Sequence, residues 1–533
     1  MSVETASPTA ARRASSATAG RSWSLVRPAL IAVAALTVLA TAIRFYHLGH
    51  QGFWFDEATT ALLVHFSPGK MLGLIPKTES TPPLYYCLAW VWARIFGYDE
   101  TALRSLSAVA GIATVPVMYA AAKRLVSARA GLIAAALTAC NPLLIWYSQE
   151  ARSYALLVLL SALSLLAFTY LLERPSPRSG AAWAIASALA LFTHYYAILV
   201  VIPQALWLLH LHRRSRAVQV AIGAVAVCGL ALLPLAIDQQ GNHRSKWIAH
   251  ISLSRRVKQI VPQFTIGFGS PAYDVLEPLA VALAVFGVVL LLTRAIGAER
   301  RGALLAGGLA VGGLVLNLLL VGGGVDDLLT RNLIALWVPA AIAVAGGFAI
   351  RRPRFVGVGA AVALCAIGLV AAVGVAQDRN LQRPDWRGVA ALLGTHPTGA
   401  AATGGRAILV QNYKDLLPLK LYLPGLAFVA GHRDHPGALP THRTRVSELD
   451  VVSFTTPPGG GVCWWGSACN LKQSQMQSSY PIPGFRPVWR RHIYQFTVLH
   501  MVAVDGPVLV TAGEIAGILK NTTMHRSELM VQR

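Results

Sequence analysis

Charged side chains are scarce in this 533-residue sequence: Asp, Glu, Lys and Arg make up 13% of it, whereas hydrophobic residues make up 55%. A soluble globular domain carries about 25% charged residues, so the composition excludes that class. The apolar residues lie in repeated runs of about 16–22, each long enough to cross a bilayer core as a helix. These runs show no strand-like alternation, and open sheet edges cannot lie in lipid. The sequence therefore predicts a polytopic α-helical membrane protein.

Acidic residues are the scarcer charge, with 23 Asp and Glu against 46 Lys and Arg, and the formal net charge is +23. The basic residues gather in every second loop between the apolar runs. Because cytoplasmic loops are rich in Lys and Arg, this pattern indicates membrane topology and contact with anionic lipid rather than nucleic-acid binding. With hydropathy it predicts about eleven spans, near residues 28–43, 101–121, 130–147, 153–171, 181–194, 196–211, 217–237, 277–293, 303–321, 331–349 and 355–376.

This alternation predicts a cell-membrane protein with a disordered cytoplasmic segment over 1–27 and a transmembrane domain over 28–376. An odd number of spans places the C-terminal part outside the cytoplasm. The region 181–211 is ambiguous, because the stretch around His194 fits either a tight outer turn or the middle of one bent span.

The segment from Pro82 to Gly97 is apolar, but counting it as a span would invert the sidedness of every basic loop that follows. It begins with two prolines and is rich in Trp and Tyr. These features favour a helix that lies on the membrane surface, with Pro near its start.

The composition changes after residue 376, where Pro, Gly, His and charged residues return. Short apolar runs at 406–411 and 507–511 are typical of buried strands, and 385–394 is typical of a helix with Asp near its cap. The region 377–533 is therefore predicted to form an extracytoplasmic α/β domain.

Cysteine is also rare, with six residues. Cys87, Cys140, Cys228 and Cys365 lie in apolar runs, where cysteine behaves as a small hydrophobe. Cys463 and Cys469 share a polar stretch, and the pair is predicted to form a local disulfide, which an extracytoplasmic location permits.

Against this apolar background, two adjacent acids stand out at the end of the first span. Asp56 and Glu57 follow Phe53-Trp-Phe and open the first outer loop, residues 44–100. Charge at a membrane boundary is costly unless it is used or solvated, so the loop is a candidate catalytic loop. Two plainer roles stay open: Asp56 as a helix cap and Glu57 as a solvated group.

Other polar residues are predicted at the same face of the membrane. A set of cations could hold a phosphate, a carboxylate could act on a hydroxyl, and together they suit a lipid-linked phosphate substrate. The set comprises Arg104, Glu150, Arg152, His194, Tyr195, Arg244, Lys246, Asp326, Asp327 and Arg331. Lipid-headgroup contact is the alternative for the basic members, an aromatic belt for His194 and Tyr195, and a polar turn for the remaining acids.

Several of these stretches together resemble the GT-C superfamily of polyprenyl-phosphate-sugar-dependent glycosyltransferases. The resemblance is strongest to the protein mannosyltransferase and aminoarabinose transferase branch, glycosyltransferase family 39. It covers about residues 28–350 and rests on the order and spacing of these segments: Phe53-Trp-Phe-Asp56-Glu57-Ala, Pro82-Pro83-Leu-Tyr-Tyr, Ala102-Leu-Arg104-Ser-Leu-Ser-Ala, Asn141 to Tyr154, and Thr193-His194-Tyr195-Tyr.

The resemblance implies an inverting transfer from a polyprenyl-phosphate sugar, in which Asp56, assisted by Glu57, deprotonates or orients the acceptor hydroxyl. The candidates for the donor phosphate are Arg104, Arg152, Arg331, Arg244 and Lys246. Those for substrate contact are Glu150, His194 and Tyr195. Thr81 stands where protein mannosyltransferases often have His, and Thr330-Arg331-Asn332 replaces their Asp-Arg-Tyr stretch.

The sugar, the acceptor and the metal requirement stay open at this point. A mannose or arabinose-like sugar and an envelope glycan, glycolipid or protein all fit, and some relatives bind a divalent metal through first-loop acids. A transporter or lipid flippase is the alternative function. Transporters tend to have repeated halves and acids near the bilayer midplane, whereas here the polar groups gather at one edge. A scaffold would leave the acids of the first loop unexplained.

Overall fold

The computed structural model describes residues 28–242, 245–397, 404–410, 416–428, 443–455, 482–511 and 528–533. Over these residues the protein comprises a bundle of helices followed by a smaller domain built on a β-sheet. Arg244, Cys463 and Cys469 lie outside the described residues, so the predicted disulfide stays a prediction.

The helices of the bundle follow the predicted spans closely. In chain order they are α1 (Pro28–Phe45), α2 (Phe55–Leu63), α3 (Pro68–Thr78), α4 (Leu84–Phe96), α5 (Glu100–Leu125), α6 (Ala128–Cys140), α7 (Pro142–Ser148), α8 (Tyr154–Glu173), α9 (Pro177–Thr193), α10 (Ile198–His212), α11 (Arg216–Gly241), α12 (Leu253–Lys258), α13 (Ile260–Ile266), α14 (Tyr273–Thr293), α15 (Gly297–Gly322), α16 (Trp337–Phe348) and α17 (Arg354–Gln377).

Eight helices within the described residues are long and apolar enough to cross a membrane, or nine if α6 and α7 form one bent span. The multi-pass prediction is confirmed, but the number eleven is not. The two remaining predicted spans coincide with α9, of 17 residues, and α16, of 12 residues. Helix α10 itself has 15 residues and is counted because it continues the 3-10 turn before it into a span of 18 residues. On α11 the side chains of Val227, Leu230 and Ile237 are 63–70% exposed, as expected for a face that contacts lipid rather than water.

The ambiguous region around His194 is a turn between two helices. Helix α9 ends at Thr193 and α10 begins at Ile198, after a short 3-10 turn. The Trp183 indole N–H donates to the side-chain oxygen of Gln204 at 2.8 Å. Because these residues lie at similar distances on either side of His194, the contact shows that the chain reverses there.

Helices α6 and α7 meet at an angle of 58°. Asn141 ends α6 and caps α7 by accepting the Leu144 N–H at 3.0 Å, and Pro142 occupies the first turn of α7. Proline suits that position because it needs no hydrogen-bond partner for its nitrogen. The bend directs the segment after Ser148 toward the first loop.

Charged contacts separate the two ends of the bundle. At one end, called the basic end, Arg124 pairs with Glu173, Arg351 pairs with Glu299 at 3.2 Å, and Arg129 donates to the Ile350 carbonyl. At the other end, called the site end, the first loop meets the ends of α5, α7, α11 and α15. The helices alternate between these ends, as the loop charges predict. Which end faces the cytoplasm stays a prediction.

Helix α4 coincides with the predicted surface helix. Its 13 residues measure about 20 Å at 1.5 Å per residue, which is less than the roughly 30 Å of a bilayer core. Tyr85 and Tyr86 are buried against the bundle, whereas Val91 and Ile95 are 52% and 67% exposed. The helix therefore has one face for the protein and one apolar face for lipid, although it is too short to span.

The second domain contains the predicted helix and strands. Its elements are α18 (Trp386–Leu393), β1 (Arg406–Val410), α19 (Leu416–Tyr422), β2 (Ala427–Phe428), β3 (Thr444–Val446), β4 (Glu448–Phe454), β5 (Phe485–Ile493), β6 (Phe496–Ala503), β7 (Val508–Val510) and β8 (Glu528–Gln532). The main sheet has the order β2-β8-β1-β4-β6-β5, with β1 and β4 parallel and the other neighbours antiparallel.

Apolar side chains cover both faces of this sheet. Helix α18 begins where Asp385 accepts the Gly388 N–H at 3.0 Å, and its Trp386 packs with Val452 and Phe496 on one face. The pair β3–β7 packs on the other face, where residues of β1, β4 and β6 are buried. The domain thus has a core on each side of a mixed sheet, which confirms the α/β prediction.

Candidate active site

The two acids of the first loop lie in the first turn of α2, which begins at Phe55 with Trp54 as its cap residue. Asp56 is therefore inside the helix and is not its cap. The N-terminal end of a helix favours negative charge, which suits both acids. Consecutive helical residues point about 100° apart, so Asp56 and Glu57 reach different surroundings.

Glu57 forms a fully buried ion pair with Arg104 of α5. The two side chains are 0% and 1% exposed and are joined by two contacts of 2.6 and 2.7 Å. Glu57 also accepts the Ala151 N–H at 2.9 Å. Burial alone would raise the pKa of Glu57, but the Arg104 guanidinium holds this pKa below its usual value. Glu57 therefore stays ionised and connects the first loop to two helices.

Arg104 uses its remaining donors on the loop that follows α1. It donates to the carbonyl oxygens of Leu48, Gln51 and Gly52 at 2.7–3.0 Å. From the sequence, Arg104 is predicted to contact a donor phosphate or lipid headgroups. The structure instead buries it and engages every terminal nitrogen, because a guanidinium at this depth needs many acceptors.

Arg152 is also buried in an ion pair, and it contacts the backbone of Asp56. It forms a bidentate pair with Glu79 at 2.9 and 3.0 Å and donates to the Asp56 carbonyl at 3.1 Å. Glu79 is 3% exposed and was missed in the sequence, where it lies between two helices without a distinguishing motif. The pair therefore supports the first turn of α2 through the hydrogen bond from Arg152 to the Asp56 carbonyl.

Glu150 is buried beside Arg383, which follows the last span. Their side chains are 1% and 2% exposed and meet at 3.0 Å, and the Arg383 guanidinium lies 3.9 Å from the Trp146 ring. Burial raises the pKa of Glu150 to about 7, against the opposing effect of Arg383. Arg383 was missed because its sequence neighbours suggest only the start of the next domain.

His194 and Tyr195 also face inward at the site end. The Tyr196 N–H donates to Nδ1 of His194, which is 3% exposed and lies 5.7 Å from the Tyr154 ring. The Tyr195 hydroxyl donates to Gln239, whose amide in turn donates to the Thr81 carbonyl. Tyr195 therefore connects the α9–α10 turn to the first loop through Gln239, whereas His194 packs against α8.

Asp56 differs from these sealed groups because water can reach it. Its carboxylate is 19% exposed and receives a single contact from Arg331, at 3.1 Å. Arg331 is 26% exposed and lies 5.9 Å from the Trp247 ring. Lys246, next to this tryptophan, is exposed. The result is an open carboxylate beside one partly exposed and one exposed cation.

The loop that carries Arg331 is fixed by a further ion pair. Arg256, 2% exposed, binds both oxygens of Asp326 at 2.6 and 2.8 Å, and Asn332 donates to the Asp327 carbonyl. Asp326 therefore holds the loop, and the arrangement leaves Arg331 directed at Asp56.

The sheet domain contacts the site end directly. The Tyr422 hydroxyl receives the Phe53 N–H and donates to Glu100, each at 2.6 Å. Arg387 also contacts Glu100, at 3.2 Å. These contacts lie within a few residues of Asp56, so the sheet domain forms part of the support for the first loop.

A metal-ligand cluster is not found at this site among the described residues. Among all the residues that the structure describes, one group of three side chains has ligand atoms close enough for one ion. It comprises Glu448, Asp450 and His500, and it lies in the sheet domain, away from this site. The first-loop acids are instead engaged with arginines.

The sequence of residues 80–237 matches the family of dolichyl-phosphate-mannose-protein mannosyltransferases. This segment includes α4, the α6–α7 bend and the turn at His194. Comparison with curated protein sequences found no match.

The structure is similar to that of ArnT from Cupriavidus metallidurans bound to undecaprenyl phosphate, with a TM-score of 0.50 and 14% sequence identity over 88% of this chain and 97% of ArnT. Two other structures among the matches have lower TM-scores. The Pmt1-Pmt2 protein O-mannosyltransferase complex of S. cerevisiae, bound to its sugar donor, has a TM-score of 0.29, 17% identity and coverage of 41% and 34%. The oligosaccharyltransferase of Archaeoglobus fulgidus has a TM-score of 0.42 and 12% sequence identity over 81% of this chain and 60% of that protein.

At such identity a structural match establishes a shared fold. The match to ArnT extends over nearly the whole of both chains, and the family match covers a segment that carries several of the motifs found in the sequence. The chain therefore shares the fold of ArnT over nearly its whole length, and this fold agrees with the one that the resemblance in the sequence implies.

Proposed function

We propose that the protein is an inverting glycosyltransferase that moves a sugar from a polyprenyl phosphate to a hydroxyl group of a cell-envelope acceptor, outside the cytoplasm. The observation that carries this proposal is the contrast in accessibility at the site end. Between Asp56 and Glu79 and in the α7–α8 turn, four described carboxylates pair with arginines, and of these pairs only Asp56 with Arg331 is partly exposed. Asp326 is also partly exposed, but both of its oxygens are bound by Arg256. The fold is similar to that of ArnT, whose structure holds undecaprenyl phosphate.

In this proposal Asp56 accepts the proton of the acceptor hydroxyl. The hydroxyl oxygen forms a bond to the anomeric carbon while the bond from that carbon to the phosphate oxygen breaks, and the electron pair leaves with the polyprenyl phosphate. One displacement inverts the anomeric configuration. General-base assistance of this kind contributes roughly 10²–10⁴-fold in rate, and an ionised carboxylate with free oxygen lone pairs suits it.

The leaving phosphate gains negative charge, which Arg331 stabilises. Its exposed guanidinium can contact both Asp56 and a phosphate oxygen, and Lys246 adds a second cation nearby. Fixed cations aimed at developing charge lower the barrier without reorganisation during the reaction. Trp247 offers a ring face toward the sugar or the lipid. Arg244, a further candidate for the phosphate, lies outside the described residues.

The sealed residues position this pair. Glu57 and Arg104 hold the loop, and Arg152 with Glu79 supports the turn that carries Asp56. We therefore assign Arg104 and Arg152 to positioning rather than to the phosphate. Glu150 and His194 are buried behind them and are within reach of a substrate only if their surroundings move, whereas Tyr195 is partly exposed.

The sugar is proposed to be mannose or an arabinose-like pentose, and the experiment separates the two. Membranes from cells that express the wild type, Asp56→Asn or Asp274→Asn would be given radiolabelled polyprenyl-phosphate mannose or polyprenyl-phosphate arabinose with an envelope extract. Asp274 is a matched control, since it is an exposed aspartate in the first turn of another helix, α14.

Transfer from one donor, lost in Asp56→Asn and retained in Asp274→Asn at equal protein level, would support the proposal and identify the sugar. Full transfer in Asp56→Asn would contradict the role of Asp56. If the wild type transfers neither sugar but moves labelled polyprenyl phosphate between leaflets of vesicles, the flippase alternative is correct instead.

A further inference from the structure

The sheet domain contains a cluster of potential metal ligands on one face of two neighbouring strands. Asp450 on β4 lies directly opposite His500 on β6 in the antiparallel pair. Glu448 precedes Asp450 by two residues and so points to the same face. One ligand atom from each of the three side chains lies within 4.8 Å of the others.

The distances between the ligand atoms lie on either side of those found around a bound divalent ion. The His500 Nδ1 atom lies 2.7 Å from an Asp450 carboxylate oxygen and 3.7 Å from a Glu448 oxygen. An ion with ligand distances of about 2.0–2.2 Å holds neighbouring ligand atoms roughly 3–3.6 Å apart. Small side-chain rotations would therefore place all three atoms around one ion.

Asp450 provides an independent indication of a ligand. Its side chain is 0% exposed, and one carboxylate oxygen, Oδ2, has no hydrogen-bond partner among the residues that the structure describes. A buried carboxylate is costly unless it is paired or coordinates a metal, and buried polar atoms without partners are rare. The unpartnered oxygen lies in the cluster, where a cation would satisfy it.

The nearest permanent cation does not fill this role. Arg406, on the neighbouring strand β1, lies 3.7 Å from Glu448, beyond hydrogen-bond distance. Its guanidinium donates instead to Gln532 and to the carbonyl oxygens of Leu393 and Gly394.

We propose that Glu448, Asp450 and His500 bind a zinc ion. One imidazole nitrogen and two carboxylate oxygens are ligands that zinc accepts, and three protein ligands leave a fourth position for water or for an anionic group of a ligand. His500 is 16% exposed, which gives an entry path, and the Trp489 ring stacks on its imidazole at 4.8 Å. The site lies in the sheet domain and does not depend on the proposed transferase activity.

The test uses the full chain, purified in detergent without a histidine tag. The protein is stripped with EDTA, loaded with one equivalent of Zn²⁺, dialysed and assayed for metal by mass spectrometry. The variants are Asp450→Asn and His500→Gln. The control is His492→Gln, a histidine of the adjacent strand β5 whose ring bonds to Thr497 at 2.7 Å, outside the cluster.

We expect about one zinc per wild-type chain, since one chain supplies all three ligands, and a rise in the thermal unfolding midpoint on loading, because a ligand of the native state stabilises it. His492→Gln should behave like the wild type. The two cluster variants should lose most of the metal and the rise. Absence of stoichiometric zinc from the wild type, or its retention in both cluster variants, would overturn the proposal.

A second measurement on the wild type serves if a variant fails to fold. X-ray absorption at the zinc edge should show a nitrogen and oxygen shell near 2.0–2.2 Å with one imidazole and no sulfur. A sulfur shell near 2.3 Å would place the ion on cysteine ligands and so overturn the assignment. Retention of Mn²⁺ in preference to Zn²⁺ under competition would overturn the choice of metal.

Discussion

Asp56 and Glu57 are adjacent in the sequence, but they occupy opposite environments. Glu57 is completely buried, and its partner Arg104 holds it with two short contacts. Asp56 is partly exposed and receives one longer contact from Arg331. A buried pair fixes structure because breaking it strands a charge, whereas an accessible carboxylate can exchange a proton with a substrate. In the proposed function, this contrast separates the residues that position the site from those that act in it.

The largest expected effect tests the open side of this contrast. Asp56→Asn should lower kcat for sugar transfer by roughly 10²–10⁴-fold, since a general base is lost. The thermal unfolding midpoint should stay near that of the wild type, because the carboxylate makes one exposed ion pair, which contributes little to stability. Transfer kinetics and a thermal unfolding assay in detergent would measure the two quantities. A large loss of stability with intact kcat would reverse the assignment.

The sealed side should respond in the opposite way. Glu57→Gln leaves the buried Arg104 without its counter-charge, which costs about 3–5 kcal/mol. We expect a lower unfolding midpoint and less folded protein in the membrane. Replacing both partners, as Glu57→Met with Arg104→Met, should recover part of the loss, because no buried charge is then stranded. If Glu57→Gln unfolds like the wild type but fails to transfer sugar, Glu57 acts directly in the reaction.

Arg331 tests whether the open pair binds the donor. Arg331→Gln should reduce kcat/KM for the polyprenyl-phosphate sugar about 30-fold, which corresponds to the roughly 2 kcal/mol of a hydrogen bond to a charged group. Arg331→Lys should retain part of the activity. Arg255→Gln is a matched control, since Arg255 is an exposed arginine on the nearby helix α12. An equal effect of the two glutamine variants would indicate general attraction of the anionic donor.

The smallest effect concerns the pH dependence of stability. Burial raises the pKa of Glu150 to about 7, above that of the unfolded chain, so the folded state holds more protons between the two values. Its contribution to stability is present below the unfolded pKa and is lost as pH rises through about 7. Glu150→Gln should remove most of this dependence, measured as a flatter plot of unfolding midpoint between pH 5 and 8. An unchanged plot would show that Arg383 keeps Glu150 ionised throughout.

The sequence predicted what depends on local pattern. The apolar run at 28–43 became α1, the charge alternation excluded α4 as a span, and the acids after the first span were found as candidates. The ion pairs that surround these acids could not be predicted from local pattern. Glu79 and Arg152 are 73 residues apart, and Arg383 and Glu150 are 233 apart, and no local periodicity specifies which distant charges meet.

Arg104 shows why residue type alone misassigned some roles. An arginine near a membrane boundary suits a phosphate, a headgroup or a buried acid equally well. The choice depends on three carbonyl groups of the loop after α1 and on Glu57, all supplied by tertiary packing. The metal-ligand cluster was missed for the same reason, since Asp450 and His500 become neighbours only through strand register.

The contact of Tyr422 with Phe53 and Glu100 has a consequence for the order in which the protein matures. A ribosome delivers the chain from its N-terminus, so the first loop emerges long before Arg383 and Tyr422 are made. Until those residues arrive, Glu150 lacks its cation and the loop beside Asp56 lacks its outer support. If Asp56 acts as proposed, we therefore expect the nascent chain to gain activity only when the sheet domain docks, after all the membrane helices have been made.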